Sequence, residues 1–137
     1  MIVVDASVLL DFLLRRPETL AGVEDALVGR ADEPLRAPEL IEPEMLNALR
    51  RLVRAADVDI QRATEAVADL ARVRLVRYPH APLRARVWAL RDALSAYDAT
   101  YFALAEALGD AVLLTADRGL AIVAERALGP TRVRLFA

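Results

Sequence analysis

The sequence predicts an α/β fold: a three-layer α/β/α sandwich around a mainly parallel central sheet of about five strands. Short apolar runs alternate with helix-length patterns along the whole chain, as expected when helices carry the chain between neighbouring parallel strands. The 137 residues are 56% hydrophobic, enough for one large core, so residues 1–137 are expected to form one domain. There is no internal repeat, low-complexity stretch or long linker.

In order along the chain, Met1-Ile2-Val3-Val4 reads as the first strand, and Ser7 is placed to cap a helix over about 8–15. Residues 8–14 are apolar almost all round, so that helix is expected to be buried on more than one side or to meet a partner. A second helix covers roughly 18–29. Leu35-Arg36-Ala37 is a short strand between Pro34 and Pro38. A helix over about 43–55 has Met45, Leu49, Leu52 and Ala56 on one stripe, and another over 59–72 has Ile60, Ala63, Val67, Leu70 and Ala71 on one face. Strand 74–78 ends at Pro79. Residues 82–94 read as a helix with Leu83, Val87, Leu90 and Leu94 aligned. Helix 96–108 stops at Gly109. Strand 111–115, helix 118–128 and strand 132–136 complete the order. Ligands in such folds bind beyond the carboxyl ends of the strands, where strand order reverses.

Composition excludes several chemistries. Without cysteine there is no disulfide, iron–sulfur or thiolate-zinc site, and the single histidine, His80, excludes multi-histidine zinc. No apolar run reaches the roughly 18 residues of a membrane helix, and no signal peptide is expected, which fits a cytoplasmic protein. Net charge is −2, and all 18 basic residues are arginine. If four acids were neutralised by metal, 18 basic residues would face 16 acidic ones.

Those four acids are Asp5, Glu44, Asp98 and Asp117, each where an apolar segment meets the start of a helix. Each has a structural reading. Ser95-Ala96-Tyr97-Asp98 fits a capping box, Asp117 fits a cap for the helix near Arg118, and Glu44 after Pro43 meets the helix dipole in a first turn. The functional reading is convergence on one crevice. Clustered carboxylates repel unless protons or a hard divalent cation hold them together. Spacing alone leaves both readings open, and Glu42 and Asp11 stand close enough to compete with the chosen acids.

The surrounding residues carry a resemblance. Leu94-Ser95-Ala96-Tyr97-Asp98-Ala99-Thr100-Tyr101-Phe102-Ala103-Leu104-Ala105-Glu106 resembles a signature of PIN-domain ribonucleases, particularly the VapC toxins of bacterial toxin–antitoxin pairs. Val3-Val4-Asp5-Ala6-Ser7-Val8-Leu9-Leu10 is similar to that family's first strand and aspartate. Glu44-Met45-Leu46-Asn47-Ala48-Leu49-Arg50-Arg51 resembles its glutamate helix, and Leu113-Leu114-Thr115-Ala116-Asp117-Arg118 its last acidic motif. The four stand in family order. Pro79-His80-Ala81-Pro82 and Leu90-Arg91 look most like actinobacterial members.

The resemblance implies a PIN-like sandwich and a metal-dependent endoribonuclease toxin of a VapBC-type pair. Asp5, Glu44, Asp98 and Asp117 would hold one or two Mg2+ or Mn2+ ions and activate a water for phosphodiester hydrolysis. Ser7, Asn47 and Thr115 would support the acids, with Glu44 preferred over Glu42 for its spacing to Asn47 and Leu49. The implied partners are an RNA substrate such as tRNA or rRNA, a VapB-type antitoxin and a second copy of the chain, giving a homodimer and, with antitoxin, a heterotetramer or larger assembly. The alternative is a PIN-fold module that binds RNA or antitoxin without turnover.

Other residues carry less. His80 reads as a surface histidine and Trp88 as packing or a partner surface, while Arg50, Arg51, Arg54, Arg86 and Arg91 are candidates for phosphate contact. A phosphorylated receiver domain needs a lysine that this chain lacks. A haloacid-dehalogenase-type phosphatase needs aspartate where Ser7 stands, and the five glycines form no phosphate loop.

Overall fold

The computed structural model describes residues 1–30 and 32–136. Among them the strands are β1 (Ile2–Val4), β2 (Leu35–Pro38), β3 (Leu75–Tyr78), β4 (Val112–Thr115) and β5 (Val133–Leu135). The helices are α1 (Ala6–Leu13), α2 (Pro17–Ala26), α3 (Ile41–Arg54), α4 (Ile60–Leu70), α5 (Arg84–Ala89), α6 (Ala96–Ala107) and α7 (Arg118–Leu128). The sheet has the order β3-β2-β1-β4-β5 and every pairing is parallel. The first three strands step one way from β1 and the last two step the other way, so order reverses between β1 and β4. With right-handed crossovers, α1 to α4 fall on one face and α5 to α7 on the other. The helix contacts fall into the same two groups: α1 meets α2, α3 and α4, whereas α6 meets α5 and α7.

The sheet is short and enclosed at its centre, whereas the edge strands β3 and β5 stay partly exposed. Ile2, Val3, Val4, Leu113 and Leu114 are buried, so β1 and β4 carry apolar side chains toward both layers. Below them α1 places Val8, Leu9, Leu10 and Leu13 in the core, as its all-round apolar pattern required. Its start differs from the expectation. The helix begins at Ala6 with Asp5 in the cap position, and Ser7 lies inside the first turn. Likewise α3 begins at Ile41, which puts Pro43 at the third helical residue, where its missing N–H still costs no intrahelical bond.

Two further expectations are corrected. Residues 82–94 are not one helix: a 3-10 turn at Ala81–Leu83 leads into the short α5, and i→i−3 bonds such as Arg91 to Trp88 unwind the rest. Ser95 then takes an extended conformation to cap α6, so the chain must leave the helix before it. The stripe Leu83, Val87, Leu90 and Leu94 still turns inward, which is why the periodicity looked helical. In α4 the buried face is Ala63, Ala66 and Leu70, while Ile60 and Val67 point outward at 63% and 41% exposure. Every residue of α6 from Ala99 through Ala105 is buried, so it is a central helix. Its alanines let it lie against β1, β2, β4, α5 and α7. It ends at Gly109, whose φ of +75° suits glycine. No helix is long and apolar enough to cross a membrane among the described residues.

Candidate active site

The switch between β1 and β4 places Asp5 at the carboxyl end of the sheet. The Asp5 N–H donates to the Leu114 carbonyl at 2.9 Å, continuing the β1–β4 ladder, and its carbonyl accepts from Leu9 N–H at 3.1 Å to start α1. The carboxylate is therefore fixed from both sides at the junction of strand and helix. It is 6% exposed. Thr115 Oγ1 donates to its Oδ2 at 2.7 Å and Ser7 Oγ donates to the same oxygen at 3.3 Å. Burial pushes the Asp5 carboxyl above its ordinary value, and the Thr115 and Ser7 hydroxyls pull it partly back. Each hydroxyl has a second duty: Thr115 Oγ1 accepts from Asp117 N–H at 3.0 Å and Ser7 Oγ from Ala116 N–H at 3.4 Å. The loop after β4 is thereby tied to the end of β1.

That loop delivers Asp117, which caps α7 by accepting from Leu120 N–H at 2.8 Å. Asp98 comes from the first turn of α6, where Ser95 Oγ accepts its N–H at 3.2 Å. Both structural readings of these acids are thus realised, and neither removes them from the crevice. Asp5, Glu44, Asp98 and Asp117 line one cavity of about 380 Å³, together with Ser7 and Arg51. Partial burial, then the negative charges of Asp117 and Asp5, push the Asp98 carboxyl up to about 6. Burial also raises Glu44, which accepts from Tyr101 Oη at 2.9 Å, while the charges of Asp5 and Asp98 add to the upward shift.

Tyr101 received no role from the sequence. It is fully buried, and Glu44 and Asp5 add to the burial that drives its hydroxyl pKa upward, so it stays a donor to Glu44 at all ordinary pH. Its position three residues after Asp98 on α6 was the signal, since i and i+3 share a helix face. Arg51 was one candidate among five arginines. It alone of those five lines the acidic cavity: Arg86 is paired with Glu106 at 2.7 Å, and Arg91 lies 5.0 Å from the Trp88 ring centre. Glu42 is held in an ion pair with Arg77, and Asp11 pairs with Arg16 at 3.4 Å; neither lines the cavity. Asn47 shares an adjoining groove with Glu44 but stays outside the acidic cavity. His80 is exposed and accepts the Leu40 N–H at 2.9 Å, tying the end of β3 to the start of α3.

The donors are all oxygen, the set that hard divalent cations take. Among the described residues, no three acid or histidine side chains are drawn together tightly enough to ligate one ion as they stand. Magnesium does not require such a cage, because it keeps several waters and is commonly bound by one or two carboxylates. Burial raises Asp98 and Glu44 most, and the mutual repulsion that adds to it is what a bound cation would relieve. The donor set therefore fits a divalent ion.

A parallel five-stranded sheet between two helical layers, with acids from both halves meeting at its switch point, defines a PIN-like α/β/α sandwich. The PIN domain family model matches residues 2–126. The chain is 42% identical over 117 residues to a VapC ribonuclease of Mycobacterium bovis, covering 85% of this chain and 86% of that one. It is 37% identical over 120 residues to ribonuclease VapC3 of Mycobacterium tuberculosis, covering 88% and 85%, and 32% identical over 121 residues to ribonuclease VapC12, covering 88% and 90%. The chain belongs to the PIN-domain family, among its VapC-type ribonuclease toxins.

Proposed function

We propose that this chain, as one domain over residues 1–137, is the toxin of a VapBC-type pair and hydrolyses RNA phosphodiester bonds with Mg2+, or Mn2+ in its place. The observation that carries this reading is the meeting of Asp5, Glu44, Asp98 and Asp117, from four separate segments, on one cavity at the sheet's switch point. The VapC ribonucleases similar to it over most of its length support the same reading.

The four acids would hold the cation, which when bound offsets phosphate charge and lowers the pKa of water. The chain's own residues prepare the site for that ion. Thr115 and Ser7 hold the Asp5 carboxylate in one orientation against the end of the sheet, and Tyr101 does the same for Glu44. Asp98 sits in the first turn of α6 and Asp117 caps α7, so two helix N-termini hold these acids at the crevice. Asn47 stands beside Glu44 as a supporting amide. RNA such as tRNA or rRNA is the substrate, a VapB-type antitoxin the partner, and a homodimer that becomes a heterotetramer or larger with antitoxin the assembly, all in the cytoplasm.

Sequencing RNA 5′ ends after induced expression tests this, with the Asp5→Asn protein as control. New 5′ ends that need Asp5 and a divalent cation are expected. Identical 5′ ends from both proteins would sink the reading and leave a module that binds without turnover.

A further inference from the structure

A second groove of about 550 Å³ adjoins the acidic cavity and is lined by Leu40, Pro43, Glu44, Asn47, Arg51 and Tyr97. Glu44 and Arg51 border both, so the two form one continuous surface. We infer that this groove is a nucleotide subsite: the Tyr97 ring stacks on a base of single-stranded RNA beside the scissile bond, and Arg51 holds the neighbouring phosphate. The inference rests on the ribonuclease reading for the position of the scissile bond, and on the groove itself for the rest.

The chemistry of the lining matches the parts of a nucleotide. Leu40 and Pro43 give an apolar wall, the Asn47 amide offers both a donor and an acceptor to a base edge, and Arg51 offers a planar guanidinium to a phosphate. Tyr97 is 65% exposed although it opens a helix whose residues 99–105 are all buried. It directly precedes Asp98, so a rigid helix holds an unpacked aromatic ring next to the acids. Unstacked bases of single-stranded RNA are recognised on such rings. Charge supports the same occupant. Four acids repel a polyanion, and Arg51 is the cation that borders both the acids and the groove. Among the described residues Arg51 makes no ion pair, whereas Arg77 and Arg86 are each committed to a glutamate. The separate apolar cavity around Trp88 and His80 borders none of the four acids.

The test is fluorescence anisotropy with Mg2+ in an Asp98→Asn background, where RNA stays intact, using a short randomised single-stranded RNA and its fully abasic counterpart. Adding Tyr97→Ala is expected to weaken binding of the randomised RNA about tenfold, the effect of losing one stacked base, and to leave the abasic RNA unchanged. Tyr97→Phe keeps the affinity of tyrosine. Arg51→Gln weakens both RNAs and lessens the salt dependence by about one phosphate contact. Unchanged affinity in Tyr97→Ala, or equal loss on the abasic RNA, overturns the subsite. So does a change in self-association with RNA affinity intact, which would make Tyr97 part of a protein interface. Cleavage by the protein with Asp98 restored keeps the two readings apart. Tyr97-dependent binding without any cleavage retains the subsite and rejects the ribonuclease; cleavage indifferent to Tyr97 rejects the subsite alone; no RNA binding at all rejects both.

Discussion

Asp5 and Asp98 face the same cavity from opposite kinds of support. Asp5 hangs from the end of β1, is 6% exposed, and receives two hydroxyl hydrogen bonds on one oxygen. Asp98 sits half-buried on the first turn of α6, and the charges of Asp117 and Asp5 add to its burial. The strand end supplies a preorganised ligand whose desolvation is partly offset by dedicated donors. The helix supplies a ligand whose charge is left uncompensated. One acid is held for the cation, and the other is in want of it.

The largest expected effect comes from removing either acid. Asp5→Asn and Asp98→Asn should each lower metal-dependent RNA cleavage by about a thousandfold or more, the scale seen when one member of a unit is lost. They should part company in stability. Asn at 98 removes a repelled charge, so the metal-free protein should melt at the same temperature as wild type or higher. Asn at 5 gains less relief, because the hydroxyls of Thr115 and Ser7 already offset part of the burial of that carboxylate. Thermal melts with and without Mg2+ read this: the cation should raise the wild-type Tm more than that of Asp98→Asn. Equal responses in the two proteins would end the distinction between the supports.

Next in size is the hydroxyl support itself. Thr115→Val keeps shape but takes the donor from Asp5 and the acceptor from Asp117 N–H. We expect activity to fall about 10–100-fold, as for lost orienting partners of ligands, and stability to fall by about 1–3 kcal/mol for the buried groups left unpaired. Tyr101→Phe removes a single bond to a less buried acid, Glu44, and should cost about tenfold in metal affinity. If Tyr101→Phe hurts more than Thr115→Val, Glu44 rather than Asp5 is the anchored ligand.

Acid–base behaviour separates the supports further. Asp98 titrates near 6 in the fold against an ordinary value of 3.8. A carboxyl raised in this way binds more protons folded than unfolded, so its ionisation opposes folding. That penalty is absent below about pH 4, grows as pH rises, and is complete above about 6. Asp5 and Glu44 are shifted in the same direction. Metal-free wild type should therefore lose stability as pH rises through this window, and Asp98→Asn should flatten the slope; a denaturation series across pH 4–7 checks it. A slope unchanged by Asp98→Asn would assign the penalty to the other acids.

The order of the elements was legible because apolar runs and helical periods are local, and the four acids were legible because each sits in a short motif. What escaped depends on neighbours far away in sequence. Tyr101 reaches Glu44 across 57 residues, a pairing between helices on opposite faces of the sheet that only the fold creates. The choice of Arg51 among five arginines depends on which way α3 is rotated. The outward face of α4 and the burial of α6 on all sides were hidden for the same reason: alanine reads as neutral in a pattern, yet it is the residue that lets helices approach closely. The break at residues 90–95 was masked because a turn can present leucines to the core at helical spacing.

The smallest expected effect sharpens the comparison most economically. Glu42 and Glu44 lie two residues apart on α3, so they point to different sides of the helix. Glu44 borders the acidic cavity and takes the Tyr101 hydrogen bond, whereas Glu42 is spent on Arg77 at a partly exposed surface. An exposed pair of this kind contributes about 0–1 kcal/mol. Glu42→Gln should therefore lower stability by no more than that and leave cleavage within about twofold, while Glu44→Gln should remove most activity with little change in melting. Measured side by side under one metal concentration, the pair isolates position from composition, since both changes delete one charge from the same turn. Loss of cleavage in Glu42→Gln with Glu44→Gln still active would move the ligand to Glu42, and would require α3 to turn its other side toward Asp5 when the cation binds.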